Sequence, residues 1–202
     1  MAVIDVYKTI AVPSEETLFK EKGSKFFGYA FPVTSEDEIK EILLSVKKSH
    51  HSARHWCYAW KLGVEPVRFR VNDDGEPSNS AGQPIYGQII SADVTDVLVV
   101  VVRYFGGVKL GVGGLIRAYR SSAQLALEVS SIIEKTIEEK LLLKFEYQFM
   151  NKVMRIIKQK KLTIASQEMT SNCVLELSIK KSEIERIKKL FQTLHFLEVK
   201  SI

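Results

Sequence analysis

Eight residues, Ser24-Lys25-Phe26-Phe27-Gly28-Tyr29-Ala30-Phe31, predict a strand that stops at Pro32. Ser35 and Glu38 then form a capping box, and Ile39, Ile42, Leu43 and Val46 recur at i, i+3, i+4 and i+7, so a helix with one core-facing stripe follows. From His55 to Leu62 the period falls to two. Trp56, Tyr58, Trp60 and Leu62 share one face, and His55, Cys57, Ala59 and Lys61 the other. Residues 67–71 alternate likewise, with Arg68 and Arg70 turned outward. Turn formers crowd residues 72–80, which read as a loop, and Pro84 suits the first turn of a short helix over 83–90 with Ile85 and Ile89 inward. Residues 97–102 are continuously apolar and mostly β-branched, the pattern of a central strand covered on both faces. A helix from about 115 to 129 follows, with Leu115, Tyr119, Ala123 and Ala126 inward and Arg117, Arg120, Gln124 and Glu128 on the opposite side.

Beyond residue 133 the rhythm restarts as β-α-β-β-α-β. Leu143, Phe145 and Tyr147 mark a strand, Met150, Val153, Met154 and Ile157 a helix stripe, and 162–166 an extended segment. Leu175, Leu177 and Ile179 mark the next strand, the helix 182–194 buries Ile184, Ile187, Phe191 and Leu194, and 196–200 closes the sheet. This is the order of a ferredoxin-like split βαβ. The class is therefore α+β, with domains expected at 1–132 and 133–202. Charge changes at the same place. Residues 1–132 carry 15 Lys and Arg against 15 Asp and Glu, and residues 133–202 carry 14 against 9, so the net charge of +5 lies in the last third. A local basic excess suits polyanionic partners such as RNA.

No window holds the roughly 18 consecutive apolar residues of a membrane span, and the first residues lack the layout of a signal peptide, so a cytoplasmic protein with no membrane partner is expected. Cys57 and Cys173 suggest buried reduced thiols rather than a disulfide framework.

Five glycines, Gly106, Gly107, Gly111, Gly113 and Gly114, fall between the buried strand and the following helix. Glycine lets a backbone turn tightly and approach a ligand, and free N–H groups at a helix start point at an anion. Arg103, Lys109, Arg117 and Arg120 add charged donors nearby, and His55, Lys152 and Arg155 extend the basic set. The alternative reading is packing, with glycines letting helix and sheet meet. No Gly-Lys-Ser/Thr follows, so this is not a Walker loop. Asp73, Asp74 and Glu76 form an acidic loop that could face a ligand, hold magnesium or act as a base, although Asp-Gly and Glu-Pro are also ordinary turn chemistry. His50, His51 and His55 match no metal-binding helix pair. No metal and no cofactor are expected, and Ser121 and Ser122 lack a nucleophile elbow.

The segments His55-Trp56-Cys57-Tyr58-Ala59, Asn72-Asp73-Asp74-Gly75-Glu76-Pro77, Ala81-Gly82-Gln83-Pro84 and Arg103-Tyr104-Phe105-Gly106-Gly107-Val108-Lys109-Leu110-Gly111 together resemble the signature of the YigZ/IMPACT family. Lys22-Gly23-Ser24-Lys25-Phe26 and Gly113-Gly114-Leu115-Ile116-Arg117-Ala118-Tyr119 extend it across most of residues 1–130. Asn79-Ser80 and Val112 depart from the Gly-Thr and Thr common at those places. The resemblance implies a first domain of the βαβ type shared by a domain of elongation factor G and a small-subunit ribosomal protein. It also implies a ferredoxin-like second domain similar to the last domain of elongation factor G, and an association with translation regulation. The expected function is a non-enzymatic regulator that binds RNA or the ribosome through the Gly/Arg-rich surface. Two alternatives stand beside it: an enzyme acting on a phosphorylated small molecule or nucleotide, and a protein–protein docking module.

Overall fold

The computed structural model describes residues 5–202. The chain forms two compact units, one of Tyr7–Lys135 and one of Thr136–Ile202 joined by Asp5 and Val6. In chain order the elements are β1 (Val6–Ile10), β2 (Thr17–Glu21), β3 (Ser24–Pro32), α1 (Glu36–Ser49), β4 (His55–Leu62), β5 (Arg68–Asn72), α2 (Gly82–Ser91), β6 (Val97–Tyr104), α3 (Gly111–Glu128) and β7 (Ile132–Thr136). There follow β8 (Glu138–Glu146), a 3-10 turn (Tyr147–Phe149), α4 (Met150–Gln159), β9 (Thr163–Glu168), β10 (Asn172–Lys180), α5 (Ile184–Gln192) and β11 (Glu198–Ser201). β1 and β7 form a two-stranded sheet, and the division between the units falls within β7.

The five-stranded sheet of the first unit runs β2-β3-β6-β4-β5. β3 and β4 are each antiparallel to β6, so they run parallel to one another with β6 inserted between them and α1 as the crossover. The expectation of a doubly covered central strand holds, since every residue from Val97 to Val102 is fully buried. On one face Val97, Val99 and Val101 pack with Phe26, Cys57 and Ala59 against Ile85 and Ile89 of α2 and Leu115, Tyr119 and Ala123 of α3. On the other, Leu98, Val100 and Val102 pack with Trp60 and Leu62 against Ile39 and Val46 of α1. Burying each such side chain contributes about 1.5–3 kcal/mol. The cap of α1 is as expected on its first half: Ser35 Oγ accepts from the Glu38 N–H at 3.2 Å. Glu38 reaches back to the N–H of Thr34, at 2.7 Å.

In the second unit the antiparallel order β11-β8-β10-β9 is that of a ferredoxin-like sheet. Leu141, Leu143 and Phe145 of β8 and Cys173, Leu175, Leu177 and Ile179 of β10 alternate into a core completed by Val153 and Ile157 of α4 and Ile184, Ile187 and Phe191 of α5. The intervening positions Lys140, Leu142, Lys144, Val174, Glu176 and Ser178 lie on the other sheet face, where Lys140 pairs with Glu176. None of these is aromatic. Among the described residues no helix is long and apolar enough to cross a membrane.

Candidate functional site

Alternation along β6 puts Arg103 on the same face as Val97, Val99 and Val101, where it is 6% exposed. A charge there must be paired. Glu76 supplies the partner from the loop between β5 and α2: Arg103 Nη1 donates to Glu76 Oε1 at 2.6 Å, and the Tyr119 hydroxyl donates to the same oxygen at 2.8 Å. The Arg103 guanidinium lies 5.6 Å from the Phe26 ring centroid and 5.7 Å from that of Phe105. The Cys57 thiol is 3.3 Å from Tyr119 Oη and 3.0 Å from the Asp73 carbonyl. Burial pushes the Cys57 thiol and the Tyr119 phenol well above their ordinary ranges, so both stay protonated as structural donors. Both cysteines are free and buried, as the sequence suggests.

Two expectations are corrected here. Arg103 is not a surface anion donor, because its register on a doubly covered strand turns it into the core. Glu76 is not a free carboxylate, because it neutralises that arginine, although it also lines the cavity described below. The rest of the acidic loop is likewise engaged with its own chain. Asp73 accepts from the N–H groups of Ala81 at 3.0 Å, Gly82 at 2.8 Å and Asn79 at 2.9 Å, satisfying orphan donors at the start of α2. Asp74 accepts from the Trp56 N–H at 2.7 Å and lies 3.9 Å from Lys47 Nζ. His55, placed by sequence on the anion surface, is half-buried with Nδ1 2.9 Å from the Asp74 carbonyl, and therefore helps hold the loop. Among the described residues no three His, Cys, Asp or Glu side chains converge to hold a metal ion.

The glycine segment is shorter as a loop than the sequence predicts, because α3 begins at Gly111 rather than near residue 115. Gly113 and Gly114 are thus helical, and Gly111 is the residue at which the helix starts. The glycines do different work. A Cβ on Gly106 would lie 1.9 Å from the Gly23 carbonyl carbon, so this glycine is a close backbone approach, the packing role of the alternative reading. Gly107 and Gly111 have φ of +87° and +67°, the left-handed region that favours glycine. Gly113 needs neither, since its φ is ordinary and a Cβ there would meet only the Arg117 side chain at 3.8 Å. Leu110 gives α3 no side-chain cap, and Lys109, Gly111, Val112, Gly113, Arg117 and Arg120 are exposed. The first turn of α3 consequently presents uncapped N–H groups beside the positive charges of Lys109 and Arg117. Next to it lies a cavity of about 270 Å³ lined by residues including Arg103, Phe105, Lys109 and Val112. Lys152 and Arg155 are exposed on α4, in the other unit, with Lys152 Nζ 5.8 Å from the Phe149 ring centroid and 5.7 Å from that of Phe196.

A split βαβ unit carrying a glycine-built helix start, followed by a ferredoxin-like unit, defines the class of α+β protein to which the chain is similar. The model of the Impact N-terminal domain matches residues 22–127. The IMPACT family member YvyE of Bacillus subtilis is 31% identical over 88% of this chain and 81% of its own length. An IMPACT family member of Haemophilus influenzae is 33% identical over 86% of each. A solved structure described as that of a hypothetical protein superposes with a TM-score of 0.73 at 27% identity, over 99% of this chain and 98% of its own. The chain belongs to the IMPACT family.

Proposed function

We propose that this protein is a non-enzymatic, translation-associated regulator, acting in the cytoplasm, that binds RNA or the ribosome through phosphate contacts at the start of α3. The carrying observation is the uncapped first turn of α3, built with Gly111, Gly113 and Gly114 and flanked by the exposed cations Lys109 and Arg117. Arg120 continues the basic edge one turn on, and Lys152 and Arg155 of the ferredoxin-like unit add long-range attraction. Family resemblance supports the link to translation. The enzymatic alternative is weaker, because the groups it needs are already occupied: Asp73 holds the start of α2, Asp74 holds the β4 backbone, and Glu76 and Arg103 hold each other.

The test compares Lys109→Glu with Arg117→Glu against Lys152→Glu with Arg155→Glu, measuring anisotropy of a ribosomal RNA fragment at several salt concentrations. Both doubles change charge equally. Diffuse attraction would weaken binding alike in the two, whereas a directed site makes the first double worse by more than about tenfold, or about 1.4 kcal/mol. Equal losses would reduce the site to general electrostatics, and absence of wild-type binding to RNA and to purified ribosomes would remove the reading.

A further inference from the structure

The cavity beside the first turn of α3 is the opposite of a phosphate site in character. Its walls are Pro77, Phe105, Leu110, Val112 and Leu115, and the paired Glu76 and Arg103, with Lys109 and Gly111, complete the lining. Phe105 and Val112 are 46% and 52% exposed, so the apolar surface opens outward rather than closing into the core. Arg103, its side chain 7% exposed and paired with Glu76, backs the Phe105 ring from within, its guanidinium 5.7 Å from the ring centroid. At about 270 Å³ the space falls just below the range of roughly 300–1,000 Å³ typical of sites for whole drug-sized ligands. It suits one flat ring system.

From this juxtaposition we infer that the cavity receives a single unstacked nucleobase, placed against Phe105, while the adjoining phosphate sits on the first turn of α3 beside Lys109. The site therefore selects single-stranded RNA over duplex. The inference rests on the phosphate reading above and adds base recognition to it. Phe105 offers an aromatic face stiffened by the Arg103 guanidinium 5.7 Å from its centroid. A base stacks on such a face whatever its identity. An apolar peptide side chain would fill the walls equally well, but would have no use for the cations and free N–H groups one turn away. Duplex RNA cannot enter, because its bases are paired and stacked within the helix. The open sheet face of the second unit cannot supply this recognition, since Lys140, Leu142, Lys144, Val174, Glu176 and Ser178 provide no aromatic platform.

Three probes separate the ideas by fluorescence anisotropy: a short single-stranded RNA, the same RNA annealed to its complement, and inorganic polyphosphate, which carries the charge without bases. The wild type should bind the single strand at least about fivefold more tightly than the duplex. Phe105→Ala should lower single-strand affinity at least about fivefold more than it lowers polyphosphate affinity. Val112→Trp, which fills the cavity from an exposed position, should act in the same direction without removing the aromatic ring. If single strand and duplex bind alike and both variants leave their ratio to polyphosphate unchanged, the base site is wrong while the phosphate site stands. If none of the three probes binds, the phosphate reading fails and this inference fails with it. Should Phe105→Ala weaken all probes equally, the Val112→Trp result decides, and retention of single-strand preference there overturns the proposal.

Discussion

Arg103 and Glu76 meet as a buried ion pair, Nη1 2.6 Å from Oε1, with 7% and 4% of their side chains exposed. The pair ties the loop between β5 and α2 to the central strand, and Tyr119 of α3 joins it through the same oxygen. Removing one partner strands the other charge in the core. Glu76→Ala should therefore destabilise the fold by about 3–5 kcal/mol in urea unfolding. Replacing both, as Glu76→Met with Arg103→Met, should recover most of that loss, because no unpaired charge remains. A single substitution costing under about 1 kcal/mol would mean that water reaches the pair.

The glycines beside α3 should separate stability from binding. Gly106→Ala forces a Cβ to within 1.9 Å of the Gly23 backbone, and neither chain can yield as a flexible side chain would. It should cost about 1–3 kcal/mol or more. Gly113→Ala meets no tight contact and replaces a poor helix former, so it should stabilise by up to about 1 kcal/mol. The same methyl stands on the exposed first turn of α3, so polyphosphate affinity should fall severalfold. Stabilisation with unchanged affinity would show that the anion sits elsewhere.

How far the sequence could be read follows from periodicity. Long signals were legible: the Ile39-to-Val46 stripe, the buried run 97–102, the stripe of α3 and the ferredoxin-like order all stand in the structure. β1, β2 and β7 were not, because each sets two apolar residues side by side, Val6-Tyr7, Leu18-Phe19 and Ile132-Ile133, and so breaks the alternation that marks a strand as short as β5. Arg103 was misplaced for a related reason. A run apolar at every position has no visible faces, so nothing in residues 97–102 tells whether the next residue points to a core or to water. The partners that resolve it, Glu76 and Tyr119, lie 27 and 43 positions apart from their bonded residues, Arg103 and Glu76 respectively. Helix α3 starts earlier than its apolar stripe shows, because Gly113 and Gly114, which carry no hydrophobic signal, are tolerated in its first turns. In the sequence His50 stands only as one of three neighbouring histidines. Its actual surroundings come from β3 and β6, and no local pattern announces them.

Those surroundings make the last prediction. His50 sits among Phe27, Tyr29 and Tyr104, with ring centroids 5.3, 5.7 and 5.8 Å away. Its Nε2 lies 2.5 Å from Tyr29 Oη and its Nδ1 3.0 Å from Tyr104 Oη, while the Tyr29 hydroxyl donates to Glu16. With that proton committed to Glu16, Tyr29 accepts from Nε2–H, and the network assigns Nδ1 as the acceptor from Tyr104. Protonating the ring would put a second N–H opposite the Tyr104 hydroxyl and destroy that acceptor. Burial accordingly holds the His50 pKa below its ordinary value, and the attraction of Glu16, 3.9 Å from Nε2, only partly opposes it. The unfolded chain, with a histidine pKa of about 6.5, then binds the proton more readily than the folded one. This contribution to stability is complete above about pH 6.5, is lost as pH falls from there to the lower folded value, and is constant below it. Thermal melts of the wild type and His50→Gln between about pH 7.5 and 5.5 should show a wild-type decline that the variant lacks. An identical decline in both would place the titrating group elsewhere.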